Sequence, residues 1–254
     1  MDGNGRWATR RGLPREAGHR AGAGAVRRVA EAAYRLGIGT LTLFAFSGDN
    51  WQRPAREVNH LLALFEDYLR SAKNECIEHG IRLGVIGRRD RFPESLRTAA
   101  ESAEAATSVG TAMHLRIALD YSGRAAILRA AQRLRENGAV SVEAFTKLLA
   151  EVTSADGAAE DVDLLIRTGG EKRLSDFMLW ECAYAEMIFT DRMWPDFDAS
   201  DLEAALEEFQ VRERRFGRIP TEGDHACAAL LSPADTPTPA AIGRSPVRPG
   251  AEHE

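Results

Sequence analysis

Short runs of apolar and β-branched residues alternate with longer stretches of helical periodicity, and this alternation narrows the possible folds more than any other feature. Ala25 to Leu36 carries Val26, Val29, Ala30 and Ala33 at helical spacing, and Gly37 stops it. Leu41 to Phe46 then reads as a buried strand. Pro54 starts a helix whose apolar face, Val58, Leu61, Leu62, Phe65 and Leu69, continues to Gly80. Ile81 to Ile86 is a second strand, followed by a helix from Pro93 to about Ala106. Leu115 to Leu119 is a third strand, and Arg124 to Arg135 the helix after it. Ser141 caps a further helix through Leu149. Val162 to Ile166 and Met187 to Phe189 complete the strands, and a helix capped at Asp198 or Ser200 runs to near Phe216. Strands separated by helices need crossover connections, which predicts a single α/β domain with a mainly parallel β-sheet covered by helices. Ligands on such sheets collect beyond the carboxyl ends of the strands. Attention therefore falls on Ser47 to Arg53, Arg167 to Ser175, and Asp2 to Trp7 if a strand precedes it.

Composition excludes several classes. The 254 residues, 44% hydrophobic and 28% charged, suit one large α/β domain. A formal net charge of -5 argues against a nucleic-acid partner. Cys76, Cys182 and Cys227 follow no metal or redox motif and read as reduced thiols. No apolar run approaches the ~18 residues of a spanning helix. The N-terminus, with Asp2, Arg6, Arg10 and Arg11, is no signal peptide. A cytoplasmic protein is expected. From Thr221 Pro, Ala, Thr and Gly accumulate without periodicity, which predicts a Pro/Ala-rich disordered tail over 221–254.

Arg167-Thr168-Gly169-Gly170-Glu171-Lys172-Arg173-Leu174-Ser175 follows a buried strand. Its glycines let backbone N–H groups approach an anion, and its arginines offer forked donors to phosphate oxygens. A solvated basic turn is the plainer alternative. Asp2-Gly3-Asn4-Gly5-Arg6-Trp7 combines a carboxylate, flexible glycines and an arginine, which suits a loop holding both metal and phosphate. Arg15, His19 and Arg20 add donors near a helix start, where anions are favoured. In Phe46 to Pro54, Ser47 and Asn50 supply neutral donors and acceptors and Trp51 an apolar wall, although a structural turn explains them nearly as well. Glu186 is a carboxylate in apolar company, costly unless paired or bound to a metal. Carboxylates among arginines suggest Mg²⁺ with diphosphate, because Mg²⁺ takes few protein oxygens plus phosphates.

Taken together, these segments resemble the cis-prenyltransferases (undecaprenyl diphosphate synthase-like isoprenyl transferases) from Met1 to about Gly217. Met1 to Ala8 with Gly18 to Gly22, Phe46 to Pro54, Arg167 to Glu186, and Trp194 to Phe197 match four family motifs in order. The resemblance implies a catalytic domain over residues 1–220 that condenses isopentenyl diphosphate with an allylic diphosphate, forming cis double bonds. It implies Mg²⁺, a homodimer, and peripheral membrane contact for product release. Asp2 would be the essential aspartate and, with Glu186, would bind the metal. Gly5, Arg6, Arg15 and His19 would hold the allylic diphosphate, with Gly3, Asn4 and Trp7 also substrate-binding, and Arg167, Arg173 and Ser175 would hold the isopentenyl diphosphate. Ser47, Asn50, Trp51 and Arg53 would line the reacting centre, Asn50 assisting proton removal. Arg215-Phe216-Gly217 is similar to the family's C-terminal tripeptide, which would reach across the homodimer.

The trans-acting enzymes' Asp-rich DDxxD pattern does not occur in the chain. Asp49, Glu181 and Asp120-Tyr121-Ser122 depart from commoner residues and bear on substrate preference more than on reaction class. Small Ala45 leans toward a medium- or long-chain product, while Met113 would narrow the far end. A specialised short-chain or branched synthase and a catalytically silent partner subunit are the alternatives. Relatives carry a strand before the Asp-Gly-Asn-Gly-Arg segment, so the true N-terminus is expected upstream of Met1.

Overall fold

The computed structural model describes residues 1–137, 141–153 and 161–212. The element order is α1 (Asn4–Thr9), α2 (Arg15–Arg35), β1 (Thr40–Phe44), a 3-10 turn (Gly48–Gln52), α3 (Ala55–Glu78), β2 (Ile81–Ile86) and α4 (Glu94–Thr107). Then follow β3 (Met113–Ala118), α5 (Gly123–Asn137), α6 (Val142–Thr153), β4 (Leu164–Arg167), β5 (Glu186–Phe189), a second 3-10 turn (Trp194–Asp196) and α7 (Ala199–Gln210).

Helix boundaries follow the prolines and glycines. Pro14, Pro54 and Pro93 each stand immediately before a helix with extended ψ, so the chain turns into α2, α3 and α4 from a fixed φ. Gly37 closes α2 in the left-handed region at φ 72. The Ile38 N–H reaches the Ala33 carbonyl at 3.0 Å and the Gly37 N–H the Tyr34 carbonyl at 3.1 Å, the Schellman pattern of a glycine stop.

All strand pairs are parallel, as the alternation requires. They form two sheets rather than one: three strands in the order β1-β3-β2, and the pair β4-β5. One face of the larger sheet, with Leu83, Val85, Leu115 and Ile117, packs against α2, α3 and α4 in the main core. Its other face joins Ile86 and Ala118 to Tyr121, Leu165, Met178 and Cys182. The α5–α6 pair encloses a third cluster around Ala126, Phe145 and Leu149, with Trp180 packed against it. Cys76 and Cys182 are free and buried. Among the described residues, no helix is long and apolar enough to cross a membrane.

Several sequence expectations shift. β1 ends at Phe44, two residues early, because the Ala45 and Phe46 N–H groups both turn to the Ala118 carbonyl at 3.1 Å. Asp2 to Trp7 is mostly the short helix α1 rather than a glycine loop. Gly18 permits this: a Cβ there would come within 2.0 Å of the Asn4 carbonyl oxygen, so only glycine lets α1 lie so close on α2. α2 accordingly begins at Arg15, ahead of the periodic stretch. Residues 175–184 run as consecutive turns and bends. α7 is described to Gln210, with Val211 as its C-cap; the expected end near Phe216 lies outside the described residues. The tail over 221–254 and Arg215-Phe216-Gly217 lie outside the described residues.

Candidate active site

A cavity of about 1070 Å³ opens at the carboxyl ends of β1 and β4. Its mouth is polar, with Asp2, Arg6, Arg53, Arg167, Arg173 and Ser175. Its interior is apolar, with Val29, Leu41, Leu43, Leu61, Trp194 and Phe197. Every residue from Ile38 to Ser47 and from Asp161 to Thr168 contributes to the wall. Alternate strand residues point to opposite faces, so unbroken runs mean that β1 and β4 present their edges, not a face.

Asp2 is fixed at the mouth by its backbone. Its N–H donates to Thr168 Oγ1 at 2.9 Å, and its carbonyl accepts from that hydroxyl at 3.0 Å and from the Trp194 N–H at 3.0 Å. Gly169 follows at φ 86, and a Cβ there would come 3.0 Å from the Asp2 carbonyl carbon and from Arg6 Nη2. The side chain accepts from the Gly3 N–H at 2.6 Å and from Arg167 Nη2 at 3.0 Å, with Arg6 Nη2 at 3.4 Å. Burial opposes ionisation here, but the bonds from Arg167 and Gly3 and the charge of Arg6 outweigh it and hold the carboxyl below its ordinary range.

Arg167 ties this carboxylate to the following loop. Its Nη1 donates to the Arg173 carbonyl and, at 2.8 Å, to Ser175 Oγ. Ser175, Asp176 and Met178 have φ of 51, 66 and 42, a run of non-glycine residues in the left-handed region. Asp176 holds that shape by accepting from Ser122 Oγ at 2.5 Å and the Arg124 N–H at 2.8 Å. Arg173 bonds Glu171 at 2.5 Å, and Glu171 lies 3.6 Å from Arg6.

A second charged knot lies across the mouth. Glu57, in the first turn of α3, accepts from Arg15 Nε at 3.3 Å, Arg15 Nη2 at 3.2 Å and Arg53 Nη1 at 3.1 Å. His19 Nε2 lies 3.2 Å from the same carboxylate. Burial opposes ionisation of Glu57, and Arg15, His19 and Arg53 overcome it and hold the carboxyl low. Burial also lowers His19, partly offset by Glu57, so the imidazole is neutral near pH 7. Beside this knot Ser47 and Asn50 cap the 3-10 turn, the Ser47 N–H donating to Asn50 Oδ1 at 3.1 Å. Asn50 thus turns its side chain back on the start of this turn while also lining the cavity.

Most of the expected site residues therefore share one mouth: Gly3, Asn4, Gly5, Arg15, His19, Ser47 and Asn50 line it with those named above. Trp7, Trp51 and Glu186 do not. The Trp7 N–H donates to Asp196 at 2.7 Å, and the Arg11 guanidinium stacks 4.2 Å from its ring. Trp51 packs edge-on against Phe46 at 5.4 Å, with the Arg91 guanidinium 4.9 Å from its ring. Glu186 opens β5 opposite Leu164, while Arg167 is opposite Phe189, which separates the two levels by about 10 Å of strand. Sequence reasoning missed Glu57, Thr168 and Glu171. The signal for Glu57 was its position in the first turn of α3, four residues after Arg53, which stands just ahead of that helix.

Among the described residues no three His, Cys, Asp or Glu side chains gather to hold a metal ion. One ionised, 38% exposed carboxylate beside several arginines instead suits an Mg²⁺ ion that arrives with phosphate oxygens.

The prenyltransferase family profile described as undecaprenyl diphosphate synthase matches residues 1–217. Isoprenyl transferase 1 of Bradyrhizobium diazoefficiens is 56% identical over 219 residues, 86% of this chain and 87% of that protein. The ditrans,polycis-undecaprenyl-diphosphate synthase ((2E,6E)-farnesyl-diphosphate specific) of Pseudomonas aeruginosa is 47% identical over 221 residues, 86% of this chain and 88% of its own. Among solved structures, lavandulyl diphosphate synthase from Lavandula x intermedia in complex with dimethylallyl diphosphate superimposes with a TM-score of 0.78 at 34% identity, covering 86% of this chain and 95% of that one. Mouth geometry, parallel fold and sequence agree, and the chain belongs to the cis-prenyltransferase family, the undecaprenyl diphosphate synthases and isoprenyl transferases.

Proposed function

We propose that this chain is an isoprenyl diphosphate synthase that adds isopentenyl diphosphate to an allylic diphosphate, forms cis double bonds, and makes a medium- or long-chain product. The observation that carries the reading is the pair of carboxylate-centred cation clusters on the mouth of a cavity with an apolar interior. Arg15, Arg53 and the Gly3 to Arg6 turn take the allylic diphosphate. Arg167, Arg173 and Ser175 take the isopentenyl diphosphate. The allylic C–O bond breaks, its electron pair leaving with the diphosphate, which the arginines stabilise as charge develops. The isopentenyl double bond attacks the allylic carbon, and a proton passes from the adjacent carbon to an oxygen of the released diphosphate as the new double bond forms. Asn50 orients that transfer. Mg²⁺, held by Asp2 and diphosphate oxygens, supplies further charge neutralisation when bound. The working form in this reading is a cytoplasmic homodimer that meets the membrane only to release product.

Purified protein incubated with Mg²⁺, labelled isopentenyl diphosphate and each allylic primer should yield products of several condensations. A single branched product would replace this reading with that of a specialised synthase. Absence of turnover with every primer would instead indicate a silent subunit.

A further inference from the structure

Arg15, His19 and Arg53 line the cavity mouth, and the group that joins them, Glu57, does not. Its carboxylate lies one layer behind, with the side chain only 12% exposed. Oε1 meets Arg15, Arg53 and His19 together, and Oε2 takes the Arg15 Nε. Only one edge of each guanidinium is used. Arg15 Nη1 is left over Gly5, where a Cβ would come within 2.6 Å of it. Arg53 keeps Nη2 and Nε.

Three elements meet at this point: α2 brings Arg15 and His19, the end of the 3-10 turn brings Arg53, and the start of α3 brings Glu57. Without the carboxylate, two guanidinium groups would face each other across a gap of a few ångströms and repel. Among the described residues, the half-exposed Arg15 side chain has Glu57 alone as its ion-pair partner. Glu57 makes poor acid–base chemistry, because it is held ionised and lies behind the residues that would meet a substrate. Its use is geometric. Ordering long cationic side chains before an anion arrives removes that cost from binding.

We infer that Glu57 is a positioning residue for the allylic substrate: it holds Arg15, Arg53 and His19 as one preformed diphosphate cradle. The inference rests on the functional reading above and deepens it, since it assigns this knot to one of the two substrates. It also gives His19 a supporting part, with Nε2 turned to Glu57.

The test compares wild type with Glu57→Gln, which keeps shape and removes charge. A non-ionising allylic thiodiphosphate, titrated calorimetrically without isopentenyl diphosphate, should bind about tenfold more weakly to Glu57→Gln, the scale set by losing charge-assisted bonds. In turnover, KM for the allylic primer should rise by about the same factor, and KM for isopentenyl diphosphate should stay within about twofold. Glu57→Asp, with the charge drawn back by one methylene, should recover part of the loss. The His19 imidazole, followed by NMR, should titrate lower in Glu57→Gln, because the partner that favours its charged form is gone. Unchanged or tighter analogue binding, equal rises in both KM values, or an unmoved His19 would overturn the inference. Wild type that neither binds the analogue nor turns over would instead overturn the functional reading, and this inference with it.

Discussion

Two carboxylates organise the mouth, and they do so in opposite ways. Glu57 is buried behind the cavity on a regular helix, and its partners Arg15, His19 and Arg53 lie within 42 residues of it. Asp2 lines the cavity, just ahead of the left-handed Gly3, and its partners Thr168 and Arg167 are 166 and 165 residues away. The first is the less exposed, 12% against 38%, and draws three cationic side chains together; the second reaches the cavity, where an incoming anion would meet its arginines.

The comparison breaks most sharply at Asp2. Asp2→Ala should lower turnover by about a thousandfold or more, the scale of a lost electrostatic contact to the leaving group. Its thermal midpoint should stay within a few degrees, because the anchoring bonds are to its backbone. Near-normal activity in a steady-state assay would contradict the metal role. Next comes Arg167→Lys. The charge survives but the fork reaching Asp2, Arg173 and Ser175 does not. KM for isopentenyl diphosphate should rise about thirtyfold, roughly 2 kcal/mol, with the allylic KM little changed. Equal effects on both substrates would erase the division of the mouth into two halves.

The smallest effect concerns pH. His19 is lowered in the folded protein from 6.5, so the unfolded chain binds more protons as pH falls toward and below that value. Its contribution to stability is complete above the unfolded value and is lost as pH falls through it. Asp2 and Glu57 have depressed carboxyls, so their contributions persist until pH drops below the ordinary carboxylate range. Urea unfolding between pH 5 and 7.5 should therefore show a rise with pH that is shallower in His19→Gln. An identical slope would remove His19 from the account.

Elements that announce themselves locally were legible in the sequence. Prolines at 14, 54 and 93 and glycines at 37 and 80 mark helix limits whatever surrounds them. α1 was hidden, because Asp2-Gly3-Asn4-Gly5 has a loop's composition and becomes helical only against Gly18 of α2. Arg6, Arg15, Arg53 and Arg167 gather at the mouth, each beside a carboxylate. Trp7 and Trp51 stand beside charged neighbours in sequence, yet they pack against Arg11, Asp196, Phe46 and Arg91 rather than line the cavity. Glu57 escaped notice because an acid in a helix's first turn already has a reason to be there. Asp120, a departure from the family pattern, proves fully buried and gripped by Arg91.

The missing side chain at Gly18 ties the charged mouth to the way two helices touch. A Cβ there would meet the Asn4 carbonyl oxygen at 2.0 Å, so even one methyl group would lever α1 off α2 and carry Asp2 and Arg6 with it. A replacement that alters no charge and touches no anion would thus reach the reaction through packing alone.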